Sequence, residues 1–315
     1  MQNKTERILN EVKKVIIGKD DIISRVFMSV LSNGHILLED VPGVGKTTLA
    51  LAFSRVLGLD YKRVQFTFDS VPSDIVGFTV LEKDMNTFTY KPGAVMTNIL
   101  LADEINRTSS KTQSALLEVM EERQVTVDGI THSVPSPFIV IATQNPVGSA
   151  GTQMLPNSQL DRFMIRLEMG YPDFESQVNI LVDRHTQNPL QNIVAVVSRE
   201  EILRMQEEAA AVHIAAPIYE YITHLAEATR SHPMVQLGIS PRGALAVCQM
   251  AKSYAYVQGR DYVAPEDVSA VFNDVCAHRL ILKPKARITD TNAEGILHEV
   301  VSGVEMPVLK SKGAI

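Results

Sequence analysis

Only two cysteines, Cys248 and Cys276, occur in the 315 residues. That is too few for a disulfide framework or a thiolate metal cluster. Each falls in an apolar stretch with helical spacing, so buried free thiols are expected. The eight histidines show no metal-ligand spacing either; His35 precedes a strand-like run, and His213, His224 and His278 lie in helix-like stretches, which points to packing or surface roles. Long apolar runs are missing. Residues 138–142 make one of the longest, far short of the roughly 20 that a membrane helix needs, so no membrane insertion is expected. Positive charge is not in excess: 30 basic against 36 acidic residues give a net charge of −6. A broad basic footprint for nucleic acid is therefore absent, and no nucleic-acid partner is expected. The first residues mix charges through their apolar positions and carry no signal-peptide core, which points to a cytoplasmic protein.

What is there suits a folded chain. Hydrophobic residues make up 45% and charged residues 21%, and the length suits about two domains at roughly 150 residues each. Ile8, Leu9, Val12, Val15 and Ile16 recur at helical spacing up to Gly18, and Asp20 or Asp21 would start a second helix. Short apolar runs then appear at residues 35–38, 64–68, 99–102, 138–142 and 164–167. Helix-like segments near residues 47–57 and 110–122 separate several of them. This alternation predicts a parallel α/β sheet. Residues 78–90 and 124–134 read as two inserted hairpins, the first with a polar tip at residues 83–86, the second turning at Asp128-Gly129. After residue 171 the strand pattern stops. Ser198 with Glu201 forms a capping-box pattern, Ser240-Pro241 and Ala264-Pro265 read as helix starts, and residues 296–301 suggest a last packed helix. An α/β domain over 1–171 and a smaller all-α domain over 172–315 are expected.

The segment from His35 to Thr48 carries the chemistry. A strand runs into Val41-Pro42-Gly43-Val44-Gly45-Lys46-Thr47-Thr48 and then into a helix. In such a loop, backbone N–H groups and the positive end of the helix cradle phosphates. Gly43 and Gly45 allow backbone shapes that a Cβ would oppose. Lys46 would reach the β- and γ-phosphates and the Thr47 hydroxyl would ligate Mg²⁺. The motif G-x-x-x-x-G-K-T would place a glycine where Asp40 stands. Downstream, the apolar strand Ile99-Leu100-Leu101-Ala102 ends in Asp103-Glu104. In a parallel sheet that end lies beside the phosphate loop, so Asp103 would complete the Mg²⁺ site and Glu104 would take a proton from the attacking water. The run at residues 138–142 leads to Asn145, whose amide can orient that water. Arg162 has Asp161 and Glu168 as nearby surface partners. Arg242 falls in the first turn of a helix, where the dipole disfavours a cation unless an anion is near. Arg107 either faces a subunit interface or caps the chain ahead of the next helix.

With these elements in this order, the sequence resembles the AAA+ ATPases and, more narrowly, the MoxR family. The resemblance spans nearly the whole chain. It rests on Leu37 to Thr47, on Ala102-Asp103-Glu104-Ile105-Asn106-Arg107, on Gln144-Asn145-Pro146, on Leu160-Asp161-Arg162-Phe163 and on Ser240-Pro241-Arg242. It implies a five-stranded parallel P-loop sheet flanked by helices and followed by a smaller all-α lid, with ATP and Mg²⁺ as cofactors. Pro42 to Thr48 would hold the phosphates, and Ile17 and Gly18 would lie near the adenine. Arg162 would be the finger that reaches a neighbour's γ-phosphate. Arg242 would be a second sensor reaching the nucleotide from its own lid. The two hairpins match the family's helix insert and the hairpin ahead of its first sensor. The family forms rings, hexamers as a rule, and acts as chaperone-like maturation factors on client or adaptor proteins, often with a von Willebrand factor A domain. The rival readings are an AAA+ nucleic-acid motor or loader, a transcription activator, for which no DNA-binding module is legible, and a nucleotide-gated scaffold without turnover.

Overall fold

The computed structural model describes residues 2–41, 43–82, 86–145, 155–186 and 189–308. In chain order the strands are β1 (Ile36–Glu39), β2 (Tyr61–Gln65), β3 (Gly77–Glu82), β4 (Thr87–Pro92), β5 (Ile99–Asp103), β6 (Gln124–Val127), β7 (Ile130–Ser133), β8 (Ile139–Gln144), β9 (Ile165–Leu167), β10 (Val235–Leu237) and β11 (Ile281–Leu282). The helices before and among β1–β9 are α1 (Gln2–Lys13), α2 (Asp20–Leu31), α3 (Lys46–Val56), α4 (Pro72–Val76), α5 (Ser110–Glu122) and α6 (Asn157–Leu160). Then follow α7 (Phe174–Thr186), α8 (Arg199–Ala210), α9 (Ala216–Ser231), α10 (Pro241–Val257), α11 (Pro265–Cys276), α12 (Pro284–Ile288) and α13 (Ala293–Gly303).

Five strands form one parallel sheet in the order β2-β5-β8-β1-β9. Every residue of β5 and β8 is buried, as helices on both faces require. Alternate side chains part to opposite faces. Ile99 and Leu101 join one apolar cluster with the α1–α3 residues, while Leu100 and Ala102 join another with Leu116 and Leu117 of α5. Each such Leu or Ile side chain contributes about 1.5–3 kcal/mol by leaving water.

β2 falls three residues earlier than the apolar run at 64–68 suggests. Its ladder pairs Tyr61 with Ile99 and Gln65 with Asp103. As an edge strand it exposes Lys62, Arg63 and Gln65, so exposed polar residues between half-buried Tyr61 and Val64, rather than an apolar run, mark it. Phe66 is buried just beyond the ladder, and Phe68 is 84% exposed.

Both hairpins form. β3 pairs antiparallel with β4, and β6 with β7 around Asp128-Gly129. Residues 83–85 of the first tip lie outside the described residues. The hairpins meet where the rings of Tyr90 and His132 stack 4.0 Å apart. Ser198 and Glu201 complete the capping box, and Ser240 caps α10. The C-terminal region is helical, with one short antiparallel ribbon, β10–β11, that the pattern did not announce. The expected domain boundary after residue 171 falls where the sheet ends in sequence, yet the apolar core runs across it: Ile8 and Val26 belong to the same cluster as Val247, Phe272 and Leu297. Cys276 is buried and Cys248 half-buried, both as free thiols. No helix among the described residues is long and apolar enough to cross a membrane.

Candidate active site

β1 delivers the chain to a loop from which α3 starts directly. Gly43 and Gly45 hold φ of +89° and +100°, left-handed values that side chains with a Cβ rarely adopt. A Cβ on Gly43 would meet no atom within 4 Å, so this face of the loop is an open concavity. Gly45 caps α3 without a side-chain hydrogen bond. The first-turn N–H groups and the positive helix end are thus left for an anion. Lys46, 8% exposed, donates to the carbonyls of Asp40 at 2.7 Å and Val41 at 3.2 Å. Burial pulls its ammonium below the ordinary value, against the opposing pull of Asp40, Asp103 and Glu104. Pro42 lies outside the described residues. Asp40, standing where the generic motif has glycine, accepts the Val41 N–H at 2.8 Å on Oδ1 and the Gly170 N–H at 2.6 Å on Oδ2.

The ends of β5, β8 and β2 bring the acids to this loop. Asp103 accepts the Thr143 hydroxyl on Oδ1 at 2.6 Å, and on Oδ2 it accepts Arg63 Nη2 at 2.6 Å and Nε at 3.2 Å. Glu104 adopts φ +57°, sparsely populated for a residue with a side chain and costing about 1–2 kcal/mol. Its N–H is anchored on Thr143 Oγ1 at 2.8 Å. Three donors hold its carboxylate: Asn145 Nδ2 at 2.9 Å on one oxygen, Gln65 Nε2 at 2.8 Å and Arg107 Nη1 at 2.9 Å on the other. Gly43, Lys46, Thr47, Asp103, Glu104 and Asn145 thus line one cleft of ≈ 380 Å³, with Gly45 and Thr48 also in its wall. Val44 is half-buried against the core.

Among the described residues no group of three or more His, Cys, Asp or Glu could hold a metal ion. Thr47 and Asp103 offer one hydroxyl and one carboxylate beside the phosphate cradle. That oxygen set fits Mg²⁺, which binds through one or two protein oxygens plus phosphates and water.

Gly18 lines a second cleft, of ≈ 840 Å³, with Arg25, Arg166, Met169 and Asp274. Its φ is +71°, and a Cβ there would lie 2.1 Å from Ser176 Oγ, so only glycine fits. Met169 also lies 3.9 Å from where a Cβ on Gly45 would sit, which places the second cleft next to the phosphate loop. Ile17 is half-buried beside it.

Arg162 and Arg242 are not brought to this phosphate cleft. Arg162 Nε donates to Glu121 Oε2 at 2.8 Å and Arg242 Nη2 to Glu121 Oε1 at 3.1 Å. They line a separate cleft of ≈ 420 Å³ that shares no lining residue with the first. Neither Asp161 nor Glu168 is the ion-pair partner of Arg162; Asp161 instead accepts from Arg279 at 2.7 Å. Glu121 is the anion that the first turn of α10 calls for beside Arg242, and Arg162's hydrogen bond, with the charge of Arg242 behind it, draws the Glu121 carboxyl below its usual range. Arg107 pairs with Glu104 at 2.9 Å within its own chain. Sequence reasoning missed Arg63, Gln65, Thr143 and Glu121. Arg63 and Gln65 alternate along β2, and Thr143 is a polar break in an apolar strand; those were the available signals.

Comparison with known proteins gives consistent matches. A family model described as "ATPase family associated with various cellular activities (AAA)" matches residues 35–165, and one described as "AAA lid domain" matches residues 227–300. The chain is 40% identical to "Chaperone MoxR1" of Mycobacterium tuberculosis, over 96% of this chain and 82% of that one. It is 45% identical to "Uncharacterized protein YeaC" of Bacillus subtilis, over 97% and 95%. A crystal structure from Cytophaga hutchinsonii superposes with a TM-score of 0.91 at 36% identity, covering 98% of this chain and 96% of that one.

Proposed function

Since this chain belongs to the MoxR family of AAA+ ATPases, we propose that it hydrolyses ATP in a ring of like subunits and uses the cycle to remodel a client protein. The observation that carries this reading is the convergence of Lys46, Thr47, Asp103, Glu104 and Asn145 on one cleft. Thr47 and Asp103 would hold Mg²⁺, which supplies charge neutralisation across the β- and γ-phosphates. The Gly43–Gly45 loop and the start of α3 bind phosphate oxygens. Lys46 leaves two backbone carbonyls for them. Glu104 takes the proton of the attacking water, and Asn145, 2.9 Å from its carboxylate, orients that water. Catalysis is then mostly positioning and electrostatics. Gly18 and Ile17 border the cleft offered to the base.

Arg162 completes a neighbour's site. Because Arg242 shares Glu121 with it, Arg242 serves the same neighbouring nucleotide, in place of the same-chain role first expected of it. A site split in this way calls for head-to-tail subunits that close into a ring, and six is the number that the family resemblance implies. The hairpins β3–β4 and β6–β7 carry exposed Phe78, Phe88 and Ile130, apolar surface suited to a protein client. The name of the Mycobacterium relative supports a chaperone role, and a client or adaptor with a von Willebrand factor A domain is the partner to try first. A cytoplasmic location agrees with this role.

The test is ATP turnover per subunit over a wide range of protein concentration with Mg²⁺. A steep rise to a plateau is expected. A flat rate that survives mixing with Arg162→Ala subunits would mean that each chain holds a complete site, and no turnover with or without a client would remove the enzyme reading.

A further inference from the structure

Asp103, the acid assigned to the metal, already carries a cation. Its Oδ1 is committed to the Thr143 hydroxyl at 2.6 Å, inside the sheet. Its Oδ2, on the cleft side, takes both Nη2 and Nε of Arg63 at 2.6 and 3.2 Å. Arg63 and a divalent metal on the cleft side therefore compete for the same oxygen, and the two cations repel each other there. The pair is lopsided: the Arg63 side chain is 44% exposed and that of Asp103 13%. Arg63 stands on the edge strand β2, where a guanidinium can swing into water at little cost. It is not needed to join β2 to β5, because five paired residues already do so. Glu104 has its own arginine, Arg107, so Arg63 serves Asp103 alone among the two catalytic acids.

We propose that Arg63 is a displaceable counter-ion that makes metal binding at Asp103 conditional on a bound nucleoside polyphosphate. A bare divalent cation has to evict a guanidinium held by two charge-assisted hydrogen bonds, each stronger than a neutral one. A cation arriving with a polyphosphate brings the negative charge that receives the freed guanidinium. Arg63 thereby selects the metal–nucleotide complex over the free metal. This inference rests on the reading of Asp103 as the metal residue.

The test uses the full chain and two binding readouts: Mn²⁺ binding without nucleotide, by electron paramagnetic resonance, and the affinity of a fluorescent ATP analogue with EDTA or with saturating Mg²⁺. The ratio of the two affinities is the metal gain. Arg63→Met is expected to tighten nucleotide-free Mn²⁺ binding by roughly tenfold while the metal gain stays level or falls, with the metal-free nucleotide affinity kept within about twofold. Arg63→Lys keeps the charge without the paired donors and is expected to tighten nucleotide-free Mn²⁺ binding by about threefold; it carries the test if the Met variant does not fold. Unchanged nucleotide-free Mn²⁺ binding in a folded variant overturns the proposal, and so does a gain that rises as much as that binding, which would mean that Arg63 opposes the metal whether or not nucleotide is bound. A large loss of metal-free affinity overturns it as well, because it would make Arg63 a phosphate ligand. Asp103→Asn should abolish the gain. If wild type shows no gain and Asp103→Asn matches it, the metal reading itself is wrong and the proposal falls with it; failure in the Arg63 variants alone leaves that reading standing.

Discussion

In the phosphate cleft each catalytic acid has its own arginine, Arg63 on Asp103 and Arg107 on Glu104, whereas in the second cleft one carboxylate, Glu121, serves both Arg162 and Arg242. In the first region each acid is braced by an arginine of the same chain, with Lys46 beside them in the wall of the cleft. In the second, two arginines divide one carboxylate, so that pair is held in place with one positive charge left over. An anionic group from outside the chain is what such a pair can receive, and a nucleotide on a neighbouring subunit is one. The difference lies in how the carboxylates are shared, one to each arginine beside the phosphate loop and one between two arginines in the second cleft.

The strongest way to break this comparison is to remove its second half. Arg162→Ala should lower ATP turnover by about 10³-fold or more while leaving the affinity of the same chain for an ATP analogue unchanged. Mixed with Lys46→Ala subunits it should regain activity, because each variant supplies the half that the other lacks; absence of recovery in a stable mixed assembly would place both halves in one chain. Next comes the phosphate cleft. Glu104→Gln should cost about 10²–10⁴ in turnover and retain bound ATP, measured by filtration of labelled nucleotide, whereas a scaffold without turnover would barely notice the change.

Acid sharpens the comparison from the stability side. His35 lines the arginine cleft, its Nε2–H donating to the Met120 carbonyl at 3.0 Å and its Nδ1 accepting the Val140 N–H at 2.9 Å. Burial pushes its pKa down from 6.5 to about 3, and burial drives that of His278 well below the usual value too. Both stay neutral in the fold but charge on unfolding. Their contribution is therefore complete above pH 6.5 and is lost as pH falls toward 3, at up to about 1.4 kcal/mol per pH unit for each. Asp274, pushed up from 3.8 to about 6 by burial, opposes this between those two values. Denaturation midpoints should accordingly fall from pH 7 to pH 5. A midpoint that held constant would mean that the histidines are hydrated. The smallest effect belongs to Glu121→Gln. Both of its ion pairs are partly exposed, so stability should change by less than about 1 kcal/mol, seen in the same denaturation curves.

The buried parts of this molecule were the easiest to read from the sequence. β5 and β8 are continuous apolar runs because helices cover both faces, and the chemistry at their ends, Asp103, Glu104 and Asn145, follows from where such strands must stop. β2 was misplaced because an edge strand has only one side to hide, and with its register went Arg63 and Gln65. The meeting of Glu121, Arg162 and Arg242 was illegible for another reason. It joins a helix end, a turn and a later helix through side chains alone, and no periodicity encodes that. The pairing of Arg107 with Glu104 was illegible too, because it depends on the left-handed turn at Glu104, which the sequence does not display.

The loop that grips phosphate is fastened to the rest of the machine by the very residue that spoils its generic signature. Asp40 holds the Val41 N–H with one oxygen and the Gly170 N–H with the other, and Gly170 ends the run from β9 into the connection that leads to α7. A glycine at that place would loosen the loop and sever this tether. With Asp40 in place, one oxygen fixes the loop's own backbone and the other ties it to the strap toward the helical half by a single 2.6 Å bond, so a shift of the loop at Asp40 would be felt at Gly170.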